Sequence, residues 1–263
     1  MRGFLYNIPR PAHSYFRIAI LVFVAWCTGG LAMPGPTTAL ARAESRAGFR
    51  ALQSPAARTP PVATTLPAII PIFPLPDVML FPNMTVPLHI FEPRYRAMVA
   101  DALKGNRIIG MVLLRPGYEP DYERSPSIFP LGCAGVIEDV EELPNGEYNI
   151  LLRAIAKFRI SREEVSKPYR MALVTAIPEV LTAQEKTALQ MQRRQLEMLL
   201  AGSVGRVGLP RIPSGLSDEE LVDGVAQRID IDALDRLKLL DQASPLTRAR
   251  ALAELLEKML AAP

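Results

Sequence analysis

A thirty-residue stretch dense in proline, residues 69–98, constrains the fold of this chain more than any other segment: IIPIFPLPDVMLFPNMTVPLHIFEPRYRAM. Proline cannot donate to a β-ladder, so strands that contain it belong at sheet edges or at the bends of a barrel. The pattern predicts one strand over residues 70–73 and the start of another over residues 78–81. Further on, the apolar residues adopt a helical spacing, and Pro93 stands where a first helical turn accepts proline. A helix is therefore predicted at about residues 94–104.

The rest of the body divides into a β-rich part over residues 67–178 and a helical part over residues 179–263. In the β-rich part, short apolar runs alternate with Gly, Pro and Asn, as in strands joined by turns. Asn145-Gly146 predicts a tight hairpin turn. Further strands are predicted over residues 136–140, 148–152, 156–161 and 169–177.

The helical part is marked by two capping boxes. Thr182 is followed three residues later by Glu185, and Ser217 by Glu220, so each pair can satisfy free amide groups at a helix start. Leucine-rich stripes at helical spacing follow each box and predict four helices. The chain is thus predicted to be α+β, with strands and helices in separate parts of the sequence.

Several segments, taken in order, resemble one known family. They are IPIFPLPDVMLFPNMTVPLHIFEPRYRAMV at the start, RIIGMVLLR at 107–115, PLGCAGVIEDV at 130–140, the Asn-Gly turn, and AKFRI at 156–160. This order resembles the Lon protease N-terminal (substrate-binding) domain, and more closely the stand-alone bacterial proteins made of that domain alone, over roughly residues 67–260. The resemblance implies a six-stranded, PUA-like β-barrel-like subdomain followed by an α-helical bundle. It also implies a module that engages exposed apolar segments of damaged or unfolded polypeptides.

Catalytic chemistry is not indicated by the sequence. The phosphate-binding pattern G-x-x-x-x-G-K-[ST], which an ATPase needs, does not occur in it. In full Lon the Ser–Lys peptidase module follows the ATPase, and the resemblance of this chain covers only the domain that precedes both. His13 and His89 are the two histidines, so a paired-histidine metal site in the body is not expected, and Cys133 as the one cysteine of the body excludes CxxC zinc sites. Cys133 lies in an apolar run and is expected to be a small buried residue. We therefore predict a non-enzyme with no cofactor and no metal.

The candidate binding residues surround the proline-rich segment. His89, Glu92 and Arg94 form its compact polar cluster, and strand alternation places His89 on the face opposite Leu88 and Ile90. The simpler interpretation is structural: Glu92 and Arg94 cap or brace the junction between strand and helix, and His89 supports them. Apolar and aromatic candidates for substrate contact come from the same segment and from the long loop over residues 115–130: Phe73, Leu80, Phe81, Phe91, Tyr95, Tyr118, Tyr122 and Phe129.

Three classes of function stay open at the level of sequence. The first is a polypeptide-binding module whose partners are unfolded or damaged polypeptides, with a protease as a further candidate partner. The second is a PUA-like nucleic-acid binder, which the charge disfavours: residues 1–65 hold seven arginines and one glutamate, and the remaining 23 basic and 26 acidic residues give the body a charge near −3. The third is a hydrolase that uses His89 with Glu92 or Asp77.

The first 41 residues predict a signal peptide or an N-terminal anchor. They carry three arginines and no acid, an apolar block at residues 18–27, and a small-x-small site at Ala39-Leu40-Ala41. The expected product is exported and cleaved after Ala41, with anchoring through residues 18–33 as the second interpretation. The alternatives are a cytoplasmic protein with a misassigned start and, more remotely, an organellar transit peptide. A disordered linker is predicted over residues 42–66.

Overall fold

The computed structural model of the chain describes residues 66–122, 124–164, 166–202 and 215–261. The predicted leader and linker lie, except for Leu66, outside the described residues. The described part contains one six-stranded mixed sheet and five α-helices. The strands are β1 (Ile69–Leu75), β2 (Thr85–Ile90), β3 (Ile108–Leu114), β4 (Ile128–Glu142), β5 (Tyr148–Glu164) and β6 (Met171–Ile177). The helices are α1 (Pro93–Lys104), α2 (Ala183–Gly202), α3 (Asp218–Arg228), α4 (Ala233–Leu240) and α5 (Pro245–Ala261).

Five of the strands close into a ring. The strand order is β2-β5-β4-β3-β1-β6, and β6 pairs with β1 on one side and with the second half of β5 on the other. β1 and β3 run parallel and the remaining pairs are antiparallel. β2 pairs with the first half of β5 and extends the sheet outside the ring. β5 therefore has two partners along its length, which is why it must be long.

Three predicted strands differ from the structure. Residues 78–81 form no strand: this segment between β1 and β2 is irregular, because Pro76 and Pro82 flank it and because its side chains are used for packing. The two strands predicted at 148–152 and 156–161 are one continuous strand, β5, whose bulges opposite β4 let it bend without breaking.

The prolines of β1 fit because its two partners pair with different halves of the strand. β6 pairs with Ile69–Pro71, and β3 pairs with Ile72–Leu75. Each half keeps one edge without a ladder, so Pro71 and Pro74 can be accommodated although neither has an N–H to donate. A strand with two prolines can in this way lie between two other strands of the sheet.

The local signals for turns and helices are confirmed. Gly146 has φ +75° in the hairpin turn between β4 and β5, as the Asn-Gly pair predicts. Ser217 and Glu220 form the reciprocal capping box of α3. Glu185 likewise accepts from the amide of Thr182, while its own amide donates to the Thr182 hydroxyl.

The core has two parts. A small cluster around Phe158 takes residues from every strand of the ring, and Gly110 and Gly132 leave room for the Phe158 ring, since an added Cβ would lie 2.8 Å and 2.7 Å from its Cζ. The larger cluster lies between the sheet and the helices. Cys133 is buried in it, and burial raises the pKa of its thiol far above the ordinary value, so the prediction of a small packed residue is confirmed.

A buried set of charged groups, which we call the junction network (Lys157, Glu179, Asp223 and Arg248), joins the sheet to the helices. Arg248 on α5 is fully buried; its Nη1 lies 2.5 Å from Asp223 Oδ1 on α3, and its Nη2 pairs with Glu179. Lys157 on β5 donates to Glu179 at 2.6 Å and to two carbonyl oxygens near the end of α4. Burial raises the pKa of Asp223 to about 6, against the opposing effects of Arg248 and of a hydrogen bond from Asn83.

Candidate functional site

A small pocket opens where β1, the end of β2, the start of α1 and the 118–122 segment meet. Six of the residues proposed from sequence line it, together with two that were not proposed: Phe73, His89, Phe91, Glu92, Tyr95 and Tyr122, with Leu75 and Ile90. Its enclosed space is about that of one water molecule. We call it the aromatic pocket.

The floor of the aromatic pocket is apolar. The rings of Phe73 and Tyr95 pack with centroids 4.4 Å apart and planes tilted by 50°, a geometry that aromatic pairs prefer. Both residues are buried, whereas Phe91 at the rim is half-buried. The pocket therefore has a rigid floor and one accessible aromatic group at its edge.

The polar side of the pocket is a closed set of contacts between Glu92, Arg94 and Tyr122. Glu92 lies 2.9 Å from Arg94 and accepts a hydrogen bond of 2.7 Å from the Tyr122 hydroxyl. Arg94 donates in turn to the Tyr122 carbonyl oxygen at 3.2 Å and lies over the rings of Tyr95 and Tyr122. The predicted bracing of the strand-to-helix junction by Glu92 and Arg94 is confirmed, and it also holds the 118–122 segment against α1.

Glu92 has a second role at the start of α1. Its carbonyl oxygen accepts from the amides of Tyr95 and Arg96, while its side chain makes no capping hydrogen bond. The carboxylate is turned instead to Arg94 and Tyr122. The helix start and the pocket rim are thus built from the same residue.

His89 lies on the outer face of β2, as alternation predicts, since Leu88 and Ile90 on the opposite face are buried. It supports a different element from the one expected. Its Nδ1 lies 2.9 Å from Asn149 Oδ1 on β5, and its Nε2 lies 2.9 Å from Glu147 in the β4–β5 turn. His89 therefore fixes the hairpin beside the pocket. The hydrolase hypothesis required His89 to act with Glu92 or Asp77, but the side chains that contact its two ring nitrogens are Asn149 and Glu147.

Two tyrosines of the 118–122 segment have a raised pKa. Burial, with the hydrogen bond to Glu92, raises the pKa of Tyr122 far above its ordinary value of 10. Burial and the nearby carboxylates of Glu119 and Asp77 also raise the pKa of Tyr118. Within residues 66–261, leaving aside the gaps, no three His, Cys, Asp or Glu side chains come together as a metal site would require. The pocket offers apolar surface from Phe73 and Tyr95 and polar groups from Glu92 and Tyr122.

The remaining sequence candidates lie elsewhere. Leu80 is 1% exposed and Phe81 is fully buried, so both belong to the core and are removed from the candidate surface. Tyr118 is half-buried outside the pocket lining, with its ring centroid 6.2 Å from that of Tyr122. Phe129 is half-buried under the guanidinium of Arg115, 4.4 Å away.

β2 is the terminal strand of the sheet, and no strand of the described residues pairs with its second edge, which lies beside the pocket. The Met84 carbonyl oxygen accepts from the Ala154 amide, and hydrogen-bonded pairs alternate along an antiparallel ladder. Residues 86, 88 and 90 therefore bond to β5, while the main-chain groups of Thr85, Pro87 and His89 point outward. Gln227 on α3 confirms this phase, because its Nε2 donates to the Thr85 carbonyl oxygen from outside the sheet at 3.0 Å.

Comparison with known proteins identifies the family. Residues 69–258, from the first residue of β1 into α5, match the family described as the ATP-dependent protease La (LON) substrate-binding domain. The chain belongs to this Lon domain family. Lon protease 2 of Myxococcus xanthus is 23% identical over 226 residues, which cover 82% of this chain and 27% of that protein. Lon protease 1 of Herpetosiphon aurantiacus is 26% identical over 204 residues, which cover 75% of this chain and 25% of that protein.

A solved structure shows the same fold for a Lon domain. The N-terminal domain of the Mycobacterium avium complex Lon protease matches with a TM-score of 0.53 at 17% identity, over 72% of this chain and 98% of that one. The chain spans about a quarter of the length of the Lon proteases that it matches. What it shares with them is the substrate-binding region.

Sequence reasoning missed four residues of the candidate site in this Lon domain. Leu75 and Ile90 line the pocket, and Asn149 and Glu147 hold His89. The contact between His89 and Asn149 follows from pairing across the β2–β5 ladder, where the two residues lie opposite each other. No pattern in the sequence predicts this register, although the Asn145-Gly146 pair does predict the hairpin turn next to Glu147.

Proposed function

We propose that this chain is a non-enzymatic polypeptide-binding module that captures exposed apolar residues of unfolded proteins at the aromatic pocket. The observation that carries the proposal is the position of the pocket: an aromatic floor, a braced polar rim and an open strand edge meet at one place. Membership of the Lon substrate-binding family supports binding of protein substrates. The apolar floor supports a preference for apolar side chains.

The size of the pocket limits the affinity of a single contact. Its enclosed space is about that of one water molecule, so a large client side chain covers the mouth of the pocket beside Phe91 and is only partly buried. Full burial of such a side chain is worth about 1.5–3 kcal/mol, so one partial contact gives weak, reversible binding. A long unfolded client offers many such residues on one chain and is retained through repeated contacts. We therefore expect the module to distinguish unfolded from folded proteins, and we expect it to do so without ATP.

A substitution at the rim tests this directly. Phe91→Ser removes the half-buried aromatic group, and Met191→Ser, on the outer face of α2 where Met191 is 67% exposed, serves as the matched control. The probe is a fluorescently labelled protein kept unfolded by reduction and alkylation, and binding is followed by anisotropy without nucleotide. We expect Phe91→Ser to weaken binding by about five- to tenfold, from the partial loss of one buried aromatic contact, and Met191→Ser to bind like the parent. Equal affinity for the folded and unfolded probe, or no effect of Phe91→Ser, would refute the proposal.

We also propose that residues 1–41 direct export or anchoring. The apolar block, the flanking arginines and the small-x-small site support this. Among the described residues, no helix has the length and apolar character needed to span a bilayer. Intact mass and fractionation of the native protein test the proposal: a chain that begins at Arg42 outside the cytoplasm supports it, whereas a cytosolic chain that begins near residue 66 contradicts it.

A further inference from the structure

The open edge of β2 leads to a more specific binding mode. We propose that the client is captured as an extended segment that adds a strand to β2 at His89, and that the preferred segment carries basic residues on both sides of an apolar one. This inference rests on the proposed function, since it names the conformation and charge of the polypeptide that the aromatic pocket takes.

The main chain of β2 restricts pairing to the end beside the pocket. At the far end, the Thr85 carbonyl oxygen is already used by Gln227. Pro87 points outward without an N–H, which blunts the middle of the edge. His89 is the outward position of β2 that presents both a donor and an acceptor, and it lines the pocket. An added strand is therefore expected to pair at His89.

This register also aligns the side chains of the bound segment. Successive side chains of a strand point to opposite faces, so every second residue of the client is directed to the same side. Main-chain pairing of this kind supplies affinity, while a pocket beside the edge selects one side chain in each register. The aromatic pocket is positioned to make that selection.

The surroundings of the edge are acidic. Residues 137–152, which form the hairpin next to β2, hold five acids and no lysine or arginine. Arg153 pairs with one of these acids, Glu138, and the Arg96 side chain lies against Gly146 of the turn, so acids still outnumber arginines here. Arg94 at the pocket is paired with Glu92. Glu147 contacts His89 directly, while Glu141 is joined to the same group through Asn149. On the opposite side of the pocket, Glu119 and Asp121 are exposed in the turn before Tyr122. These charges favour a segment with lysine or arginine on both sides of its apolar residue.

The charge preference is tested with nine-residue peptides that share one central leucine and differ only in flanking residues: lysine, glutamine or glutamate. We expect the lysine peptide to bind at least about fivefold tighter than the glutamate peptide at low salt, with the difference shrinking at high salt because of screening. Glu141→Gln with Glu142→Gln should reduce this ratio. Glu254→Gln, an exposed position on α5, is the matched control and should leave it unchanged.

The strand pairing is tested by comparing His89→Pro with His89→Ala. Both variants lose the imidazole, but the proline variant also loses the outward N–H, and position 89 donates no hydrogen bond to β5 in either case. We expect His89→Pro to bind the lysine peptide about three- to tenfold more weakly than His89→Ala, which is the effect of one lost hydrogen bond. Thermal unfolding shows whether both variants fold.

A second measurement leaves the protein unchanged. N-methylation of the lysine peptide at successive amides should weaken binding at every second position, because alternate amides of a strand face its partner. Equal effects at all positions, equal binding of the lysine and glutamate peptides, or identical affinities of the two His89 variants would overturn this inference. If none of the peptides and no unfolded protein binds, the proposed function itself fails.

Discussion

Replacing Arg248 by methionine removes the central cation of the junction network while keeping an unbranched side chain of similar length. The guanidinium is fully buried, lies 2.5 Å from Asp223, pairs with Glu179, and donates to the Leu239 carbonyl oxygen at 3.1 Å. After the substitution, two carboxylates stay in the interior without this partner. Glu179 keeps Lys157, and Asp223 keeps one hydrogen bond from Asn83.

The expected cost follows from this geometry. Removing one partner of a buried ion pair costs about 3–5 kcal/mol, because the other charge is left uncompensated in the interior. The apolar replacement recovers part of the desolvation penalty of the arginine, and the remaining partners of the two acids limit the damage. We expect a loss of about 3–5 kcal/mol in the free energy of unfolding, or roughly 6–20 °C in Tm for a domain of this size.

Urea denaturation followed by circular dichroism measures this change. Arg250→Met is the matched control: it lies on the same helix, is exposed, and should stay within about 0.5 kcal/mol of the parent. Adding Asp223→Leu to Arg248→Met should recover part of the loss, since it removes the unpaired carboxylate. A loss of less than about 1 kcal/mol for Arg248→Met would refute the reasoning. So would strict additivity, in which adding Asp223→Leu to Arg248→Met lowers the stability by as much as Asp223→Leu does alone.

Three further predictions concern stability. The pKa of Asp223 is about 6 in the folded chain against an ordinary value of 3.8, so between these pH values the folded chain binds more protons than the unfolded chain. The free energy of unfolding should therefore fall as pH rises from about 4 to about 6. Urea titrations at several pH values measure this profile, and Asp223→Asn should flatten it. Ser217→Ala should cost about 1 kcal/mol by removing the capping box of α3, whereas Ser217→Thr should retain most of it; an equal loss in both variants would contradict the capping argument. Gly146→Ala should cost about 1–2 kcal/mol in the free energy of unfolding, because φ is +75° at this position. An alanine at 146 would also crowd the Arg96 side chain, whereas Gly117, at φ +82°, has no neighbour within 4 Å of an added Cβ. Thermal unfolding of Gly117→Ala therefore measures the backbone effect alone, for comparison with Gly146→Ala.

Local features of this protein were predictable because their causes lie within a few residues in sequence. Helix α1 begins at Pro93 as the proline position indicates, and the Asn145-Gly146 turn forms because glycine accepts a positive φ. The two capping boxes form between residues three apart. The order of motifs was sufficient to predict the family, and the matched range of residues 69–258 confirms that prediction.

Part of the candidate site was also predictable. Phe73, His89, Phe91, Glu92 and Tyr95 all fall in the proline-rich segment and meet at the pocket. Their roles were not predictable, because exposure depends on what packs above each residue. Leu80 and Phe81 follow the same apolar pattern but are buried in the core, since the segment that carries them runs into the larger cluster and forms no strand.

Only the tertiary structure decided how distant segments pair. The ring closes because β6 finds both β1 and β5, and β2 keeps an open edge because β5 is long enough to take it outside the ring. Lys157 meets the end of α4 more than eighty residues later, and Arg248 meets Glu179 across 69 residues. Sequence spacing carries no information on such contacts, since burial of a charge is stable only where the folded chain brings its counter-charge to the same place.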